Sequence, residues 1–220
     1  MIKAVIFDLD GTLLDTLASL EKTGNQMLRD LGFAAQESDK YRYFVGDGAA
    51  TLVERALVAA GDAQLVHLEE GMRLFRSYFK EWCSYGVRPY DGIVELLDTL
   101  RKKGVKTAVL SNKPHAQTLE VIGEYFGGGA FEIVRGQMDD VPKKPDPAGA
   151  NHIVKELGIR PDDCLYVGDT DVDMKTGLAA GLFTVGVLWG FRTERELREN
   201  GAMALVEKPD GILDLVGQTR

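Results

Sequence analysis

The stretch MIKAVIFDLDGTLLDT, residues 1–16, places an apolar run directly before three carboxylates. Residues 2–7 are apolar except for Lys3 and read as a strand buried in a sheet. The chain leaves that strand through Asp8, Asp10 and Asp15, where a turn alone would serve. Asp8 and Asp10 are separated by a single residue. Carboxylates held that close repel, so the arrangement costs stability unless a cation, a proton or a substrate offsets it.

From residue 105 onward, short apolar runs of strand type recur at VKTAVL (105–110), FEIV (131–134), CLYV (164–167) and FTVGV (183–187). Between them, apolar residues fall at helical spacing in segments that start near Asp91, Pro114, Pro147 and Val172. Gly104, Gly158 and Gly181 stand where helix C-caps belong. This alternation specifies an α/β fold: a doubly wound, mostly parallel sheet of Rossmann-like form, covered by helices on both faces. Residues 16–85 break the rhythm. Helical patterns at 16–31, 49–60 and 65–84 follow one another with no strand between them. A small α-helical cap is therefore expected at 16–85, inserted into a core made of residues 1–15 and 86–220.

Composition narrows the class of function. With 220 residues, of which 45% are hydrophobic and 27% charged, the chain has enough apolar surface for a sizeable core. Its formal net charge of -8 argues against a nucleic-acid partner, which would need a clustered Lys/Arg excess. No apolar stretch approaches the roughly 20 residues of a membrane span, so no membrane partner is expected. The N-terminal run, cut short at Asp8, does not read as an export signal. Cys83 and Cys164 lie far apart in apolar patterns, as buried free thiols of a reducing, cytoplasmic setting do. Monomer and dimer are both compatible with these features.

Ligands of open parallel sheets bind beyond the carboxyl ends of the strands. The polar residues collect at those ends: DLDGT at 8–12, SNK at 111–113, KKPDP at 143–147 and GDTDVD at 168–173. Singly, each has an ordinary reading as an acidic turn, a helix cap or solvated charge. Together they bring carboxylates suited to a hard cation, and a hydroxyl and an ammonium suited to an anion, to one rim.

With these four segments in this order, and a helical insert after the first, the chain resembles the haloacid dehalogenase-like hydrolase superfamily in its magnesium-dependent phosphatase branch. SNKP at 111–114, KPDP at 144–147 and VGDG at 45–48 look most like phosphoglycolate phosphatases. The resemblance implies Asp8 as a nucleophile that forms an aspartyl-phosphate, and Asp10 as the acid–base residue. It implies Mg²⁺ held by Asp8, the Asp10 carbonyl and Asp169, with Asp173 in support. Ser111 and Lys144 are expected on the phosphoryl oxygens. Thr12 is expected to orient Asp10, and Thr12 and Asn112 to line the substrate site. A small phosphorylated metabolite is the implied partner, and Arg42 and Lys113 are the candidate cations for a substrate carboxylate. Asp15 is expected to cap the first helix of the insert, His115 to lie at a helix start on the surface, and LWGFR (188–192) to wall the site or pack aromatically. Tyr90-Asp91-Gly92 stands where relatives usually have Pro-Gly, and Ser111 where threonine is common; the hydroxyl is kept. Pyrophosphatase and sugar-phosphate phosphatase or mutase are the alternatives within the superfamily. A non-enzymatic phospho-acceptor domain needs neither Asp10 nor the insert, and a carbon–halogen hydrolase lacks the second Asp.

Overall fold

The computed structural model describes residues 1–217. In chain order, β1 (Ala4–Phe7) and β2 (Leu14–Asp15) precede four helices, α1 (Leu17–Asp30), α2 (Ser38–Phe44), α3 (Ala49–Ala60) and α4 (Leu68–Trp82). The chain returns through β3 (Arg88–Pro89) and continues as α5 (Ile93–Lys102), β4 (Lys106–Pro114), α6 (His115–Phe126), β5 (Ile133–Gln137) and α7 (Ala148–Leu157). It ends with β6 (Cys164–Gly168), α8 (Asp171–Ala179), β7 (Phe183–Val187), α9 (Glu194–Glu199), β8 (Ala204–Val206) and α10 (Gly211–Gly217).

Six strands form one parallel sheet in the order β5-β4-β1-β6-β7-β8. Residue Ala4 of β1 pairs with Lys106 on one side and Cys164 on the other, so β1 sits at the centre of the sheet. Alternate side chains of β1 enter different cores. Val5 and Phe7 join the larger apolar cluster, whereas Ala4 and Ile6 join a second one with Leu110, Ile153 and Tyr166. Burial on both faces is why the run at 2–7 is continuous rather than alternating in hydrophobicity.

The expected helices at 16–31, 49–60 and 65–84 correspond to α1, α3 and α4, and the structure adds α2, β8, α9 and α10. Met27, Leu28, Tyr41, Leu57 and Phe75 of the insert are buried in the same apolar cluster as Val5 and Phe7 of β1. Gly24 is required there, because a Cβ would lie 2.4 Å from the Tyr41 hydroxyl. Only the antiparallel ribbon of β2 and β3, two residues each, carries the chain out of the sheet layer and back. Asp15 lies in that ribbon, accepts a 3.4 Å hydrogen bond from the Leu17 backbone N–H at the start of α1, and pairs with Arg88 at 3.6 Å. Among the described residues no helix is long and apolar enough to cross a membrane.

Candidate active site

The carboxyl ends of β1 and β6 lie side by side, which brings Asp8 next to Asp169 and the first turn of α8. Carboxylate oxygens of Asp8, Asp169 and Asp173 fall within 4.8 Å of one another, and all three residues are buried. Two of them are held by hydrogen bonds of the fold. Asp173 belongs to a capping box: its Oδ2 accepts from the Thr170 N–H at 3.0 Å and from the Thr170 hydroxyl, while Thr170 Oγ1 accepts from the Asp173 N–H. Asp169 Oδ1 accepts from the Thr12 hydroxyl at 2.9 Å, and Oδ2 from the Phe191 N–H at 2.8 Å. Asp8 has no such support. Its Oδ1 is buried without a hydrogen-bond partner from the backbone or a neutral side chain, and Lys144 Nζ lies 2.8 Å away as an ion pair.

Lys144 is buried and bridges the cluster, with Nζ 2.8 Å from Asp8 and 2.7 Å from Asp173 Oδ1. Burial alone would favour its neutral amine, yet Asp173 and Asp8 outweigh that and hold the ammonium well above the usual lysine range. One ammonium does not balance three carboxylates. Burial, followed by the charge of Asp173, raises Asp8 well above the carboxylate range and pushes Asp169 up to about 7. Buried acids in excess, hard oxygen donors and one oxygen without a hydrogen bond from the backbone or a neutral side chain fit a divalent cation. Asp8, Asp169 and Asp173 are the residues that would hold it.

Asp10 stands apart from this cluster. Its carboxylate pairs at 3.0 Å with Lys113 Nζ, whose side chain is only 1% exposed and whose ammonium lies 4.7 Å over the ring of Phe79 from α4. Asp8, Asp10, Ser111 and Lys113 line a cavity of about 40 Å³, closed by Leu20, Val45, Gly46, Leu52, Phe75 and Phe79 of the insert. Ser111 is buried on the extended end of β4, which runs to Pro114 rather than ending at 110. Its Oγ accepts from the Lys113 N–H at 3.2 Å.

Three expectations change in detail, while Asn112 lines the cavity as expected. Thr12 donates to Asp169, not to Asp10, because the parallel register of β1 and β6 sets Asp169 beside the DLDGT turn. The amide of Asn112 is already committed: Nδ2 donates to Gly46 and Lys144 carbonyls at 3.0 Å each, and Oδ1 accepts from the Lys144 N–H. Arg42 does not line the cavity; it lies on α2 and donates to the Gly190 carbonyl at 3.2 Å. His115 is half-buried and its Nδ1 accepts from the Gly136 N–H at 3.1 Å, so it pins β5 to the start of α6.

The loop at 188–192 does more than pack. Besides the Phe191 N–H on Asp169, Trp189 Nε1 donates to the Thr12 carbonyl at 2.9 Å. Gly190 lies so close to Asp169 that a Cβ there would sit 2.2 Å from the Asp169 Cβ. Apart from the Trp189 indole, these contacts use backbone groups and the absence of a side chain, so the only trace in the sequence is the grouping LWGFR itself.

Comparison with known proteins gives the family. The sequence profile of the haloacid dehalogenase-like hydrolases matches residues 2–181. A phosphoglycolate phosphatase of Pseudomonas putida is 34% identical over 214 residues, 96% of this chain and 78% of that protein. One from Nitrosospira multiformis is 35% identical over 93% of this chain and 91% of its own length. A crystal structure from Lactobacillus delbrueckii, provisionally described as a phosphoglycolate phosphatase, superposes with a TM-score of 0.91 at 30% identity, covering 98% of this chain and 99% of that one. By its sequence profile, its relatives and its fold, the chain belongs to the haloacid dehalogenase-like hydrolases.

Proposed function

We propose that this protein is a Mg²⁺-dependent phosphatase that hydrolyses a small phosphate monoester, with 2-phosphoglycolate as the preferred substrate, through an aspartyl-phosphate on Asp8. The observation that carries this reading is the state of Asp8: a buried carboxylate on the cavity wall, with one oxygen free of hydrogen bonds from the backbone or neutral side chains and an ammonium beside it. A carboxylate so placed is free to attack phosphorus rather than tied into the fold. Lys144 and the Ser111 hydroxyl stand beside it for the phosphoryl oxygens as charge redistributes. Asp10 delivers a proton to the leaving oxygen and then withdraws one from the water that hydrolyses the acyl phosphate. Bound Mg²⁺ would offset the repulsion between these carboxylates and the phosphate.

Two facts support a small substrate. The cavity of about 40 Å³ has room for roughly three water molecules, at about 10–15 Å³ each, before the insert moves. The relatives above are named phosphoglycolate phosphatases. With Arg42 off the cavity wall, Lys113, which is paired with Asp10, is the cation on that wall that a substrate carboxylate would meet.

The test is phosphate release from 2-phosphoglycolate, a hexose phosphate, pyrophosphate and an uncharged aryl phosphate with Mg²⁺, together with acid-quench trapping of labelled phosphate. Wild type should prefer phosphoglycolate, and Asp8→Asn should neither turn over nor acquire label. Lys113→Ala should raise KM about tenfold for phosphoglycolate and much less for the aryl phosphate, the loss expected for a charge-assisted contact. Labelled Asp8→Asn would remove the nucleophile, and a better kcat/KM for hexose phosphate or pyrophosphate would reassign the substrate.

A further inference from the structure

The insert meets the rest of the molecule through a row of its own carbonyls. The Arg42 and Val45 carbonyls accept from Arg192 Nη1 and Nη2, the latter at 3.0 Å. The Gly46 carbonyl accepts from Asn112 Nδ2 at 3.0 Å, and the Asp47 carbonyl from Lys143 Nζ at 2.8 Å. Each donor is the sequence neighbour of a group in the site. Asn112 follows Ser111, Lys143 precedes Lys144, and Arg192 follows Phe191, whose N–H holds Asp169. The contact is also made in reverse, since Arg42 Nη1 donates to the Gly190 carbonyl of that same loop.

Arg192 differs from the other two donors. It is 8% exposed, carries a full charge and makes no ion pair among the described residues. The ring of Tyr43 on α2 lies 5.0 Å from its guanidinium, and its charge also acts on Asp169, Asp171 and Glu196 without an ion pair to any of them. A buried guanidinium is costly unless its N–H groups are satisfied. Here the acceptors lie on the other side of the joint, at the C-terminal end of α2, where exposed carbonyls and the helix dipole favour a cation. Lifting the insert would return Arg192 to water, so the gain on closing is the difference between two solvated states and remains small enough to reverse. That reversal would widen a cavity of only about 40 Å³ for a substrate, and the two-residue strands β2 and β3 are where the chain enters and leaves the insert.

We propose that Arg192 is a positioning residue that latches the insert over the site, coupling its closure to the placement of Asp169 through Phe191 and thereby setting the preference for small substrates. The effect on turnover rests on the phosphatase reading above; the latch itself does not. Because the acceptors are backbone carbonyls, side-chain changes on the insert leave the latch in place, and the core side decides whether it holds.

The test pairs kinetics with amide hydrogen exchange on the full-length protein. In Arg192→Ala, amides of α2 and of the β2–β3 ribbon should exchange at least several-fold faster, with β1 and β6 unchanged. KM for phosphoglycolate should rise about tenfold, within the range of ordinary coupling energies, while kcat/KM for a bulky aryl phosphate that keeps the insert open changes less than threefold. Arg192→Lys, which keeps the charge but has a single nitrogen in place of the two that reach the Arg42 and Val45 carbonyls, should fall between and guards against misfolding of the alanine variant. Unchanged exchange in α2 and the ribbon of Arg192→Lys and of any folded Arg192→Ala overturns the latch, as does an equal kinetic loss on both esters. If wild type releases phosphate from no ester, the phosphatase reading fails and the exchange arm still decides the latch.

Discussion

At the residue scale the decisive fact is an imbalance of charge. Asp8, Asp169 and Asp173 crowd one ammonium, and burial raises Asp8 and Asp169. For Asp169 the sign is as follows. Its folded value of about 7 exceeds the unfolded value near 4, so the folded chain keeps a proton that the unfolded chain has released. The stability this contributes is full below about pH 4 and is lost as pH rises through 7. Chelated protein should therefore lose on the order of a few kcal/mol between pH 5 and pH 8, a slope that saturating Mg²⁺ flattens because the cation favours the ionised acids. Denaturant midpoints at the two pH values, with chelator and with Mg²⁺, check it; a flat profile in chelator would remove the argument for a cation in the cluster. The acids, Ser111 and Lys144 were legible in the sequence because their chemistry is in the side chain. The partner of Thr12 was not, since it depends on which strand lies beside β1, a pairing made across more than 150 residues.

Among elements, the turns that follow the strands are more tightly specified than the helices. Gly11 has φ +84°, and a Cβ on it would lie 2.3 Å from Asp169 Oδ2. Gly190 presses on the same side chain from the other direction. We expect Gly190→Ala to displace Asp169, destabilising the fold by about 1–3 kcal/mol and lowering kcat more than tenfold, as a misplacement near 1 Å does. Thermal unfolding and steady-state kinetics measure both; wild-type activity in a folded Gly190→Ala protein would show that Asp169 tolerates the shift. Helix α2 escaped the sequence reading because its seven residues, SDKYRYF, bury only Tyr41 and Phe44, too short a stretch for periodicity to register. Strand β8 is shorter still, three residues with one fully buried. The grip of the core on the insert was invisible for another reason: carbonyls accept hydrogen bonds whatever residue carries them.

For the whole molecule, the parallel sheet was legible from alternation alone, and so was the helical insert, because each uses many residues with one period. The central place of β1 has a consequence for how the chain assembles. The strand made first waits longest: one edge is covered only when Lys106–Pro114 arrives and the other only when Cys164–Gly168 does. Helices α1 to α4, whose contacts are local, are complete before either partner exists. During synthesis the insert should therefore condense while AVIF remains an unpaired apolar edge, the kind of segment that recruits other chains. A chain stopped at residue 160 is expected to aggregate, with protected amides in α1 and α4 and none in β1, as light scattering and pulse-labelled exchange would record. Protection of β1 in a soluble chain of that length would mean that β4 alone suffices to hold it. Otherwise the Asp8 carboxylate at the end of β1 is synthesised early and meets Asp169 and Asp173 only after about three-quarters of the polypeptide has followed it.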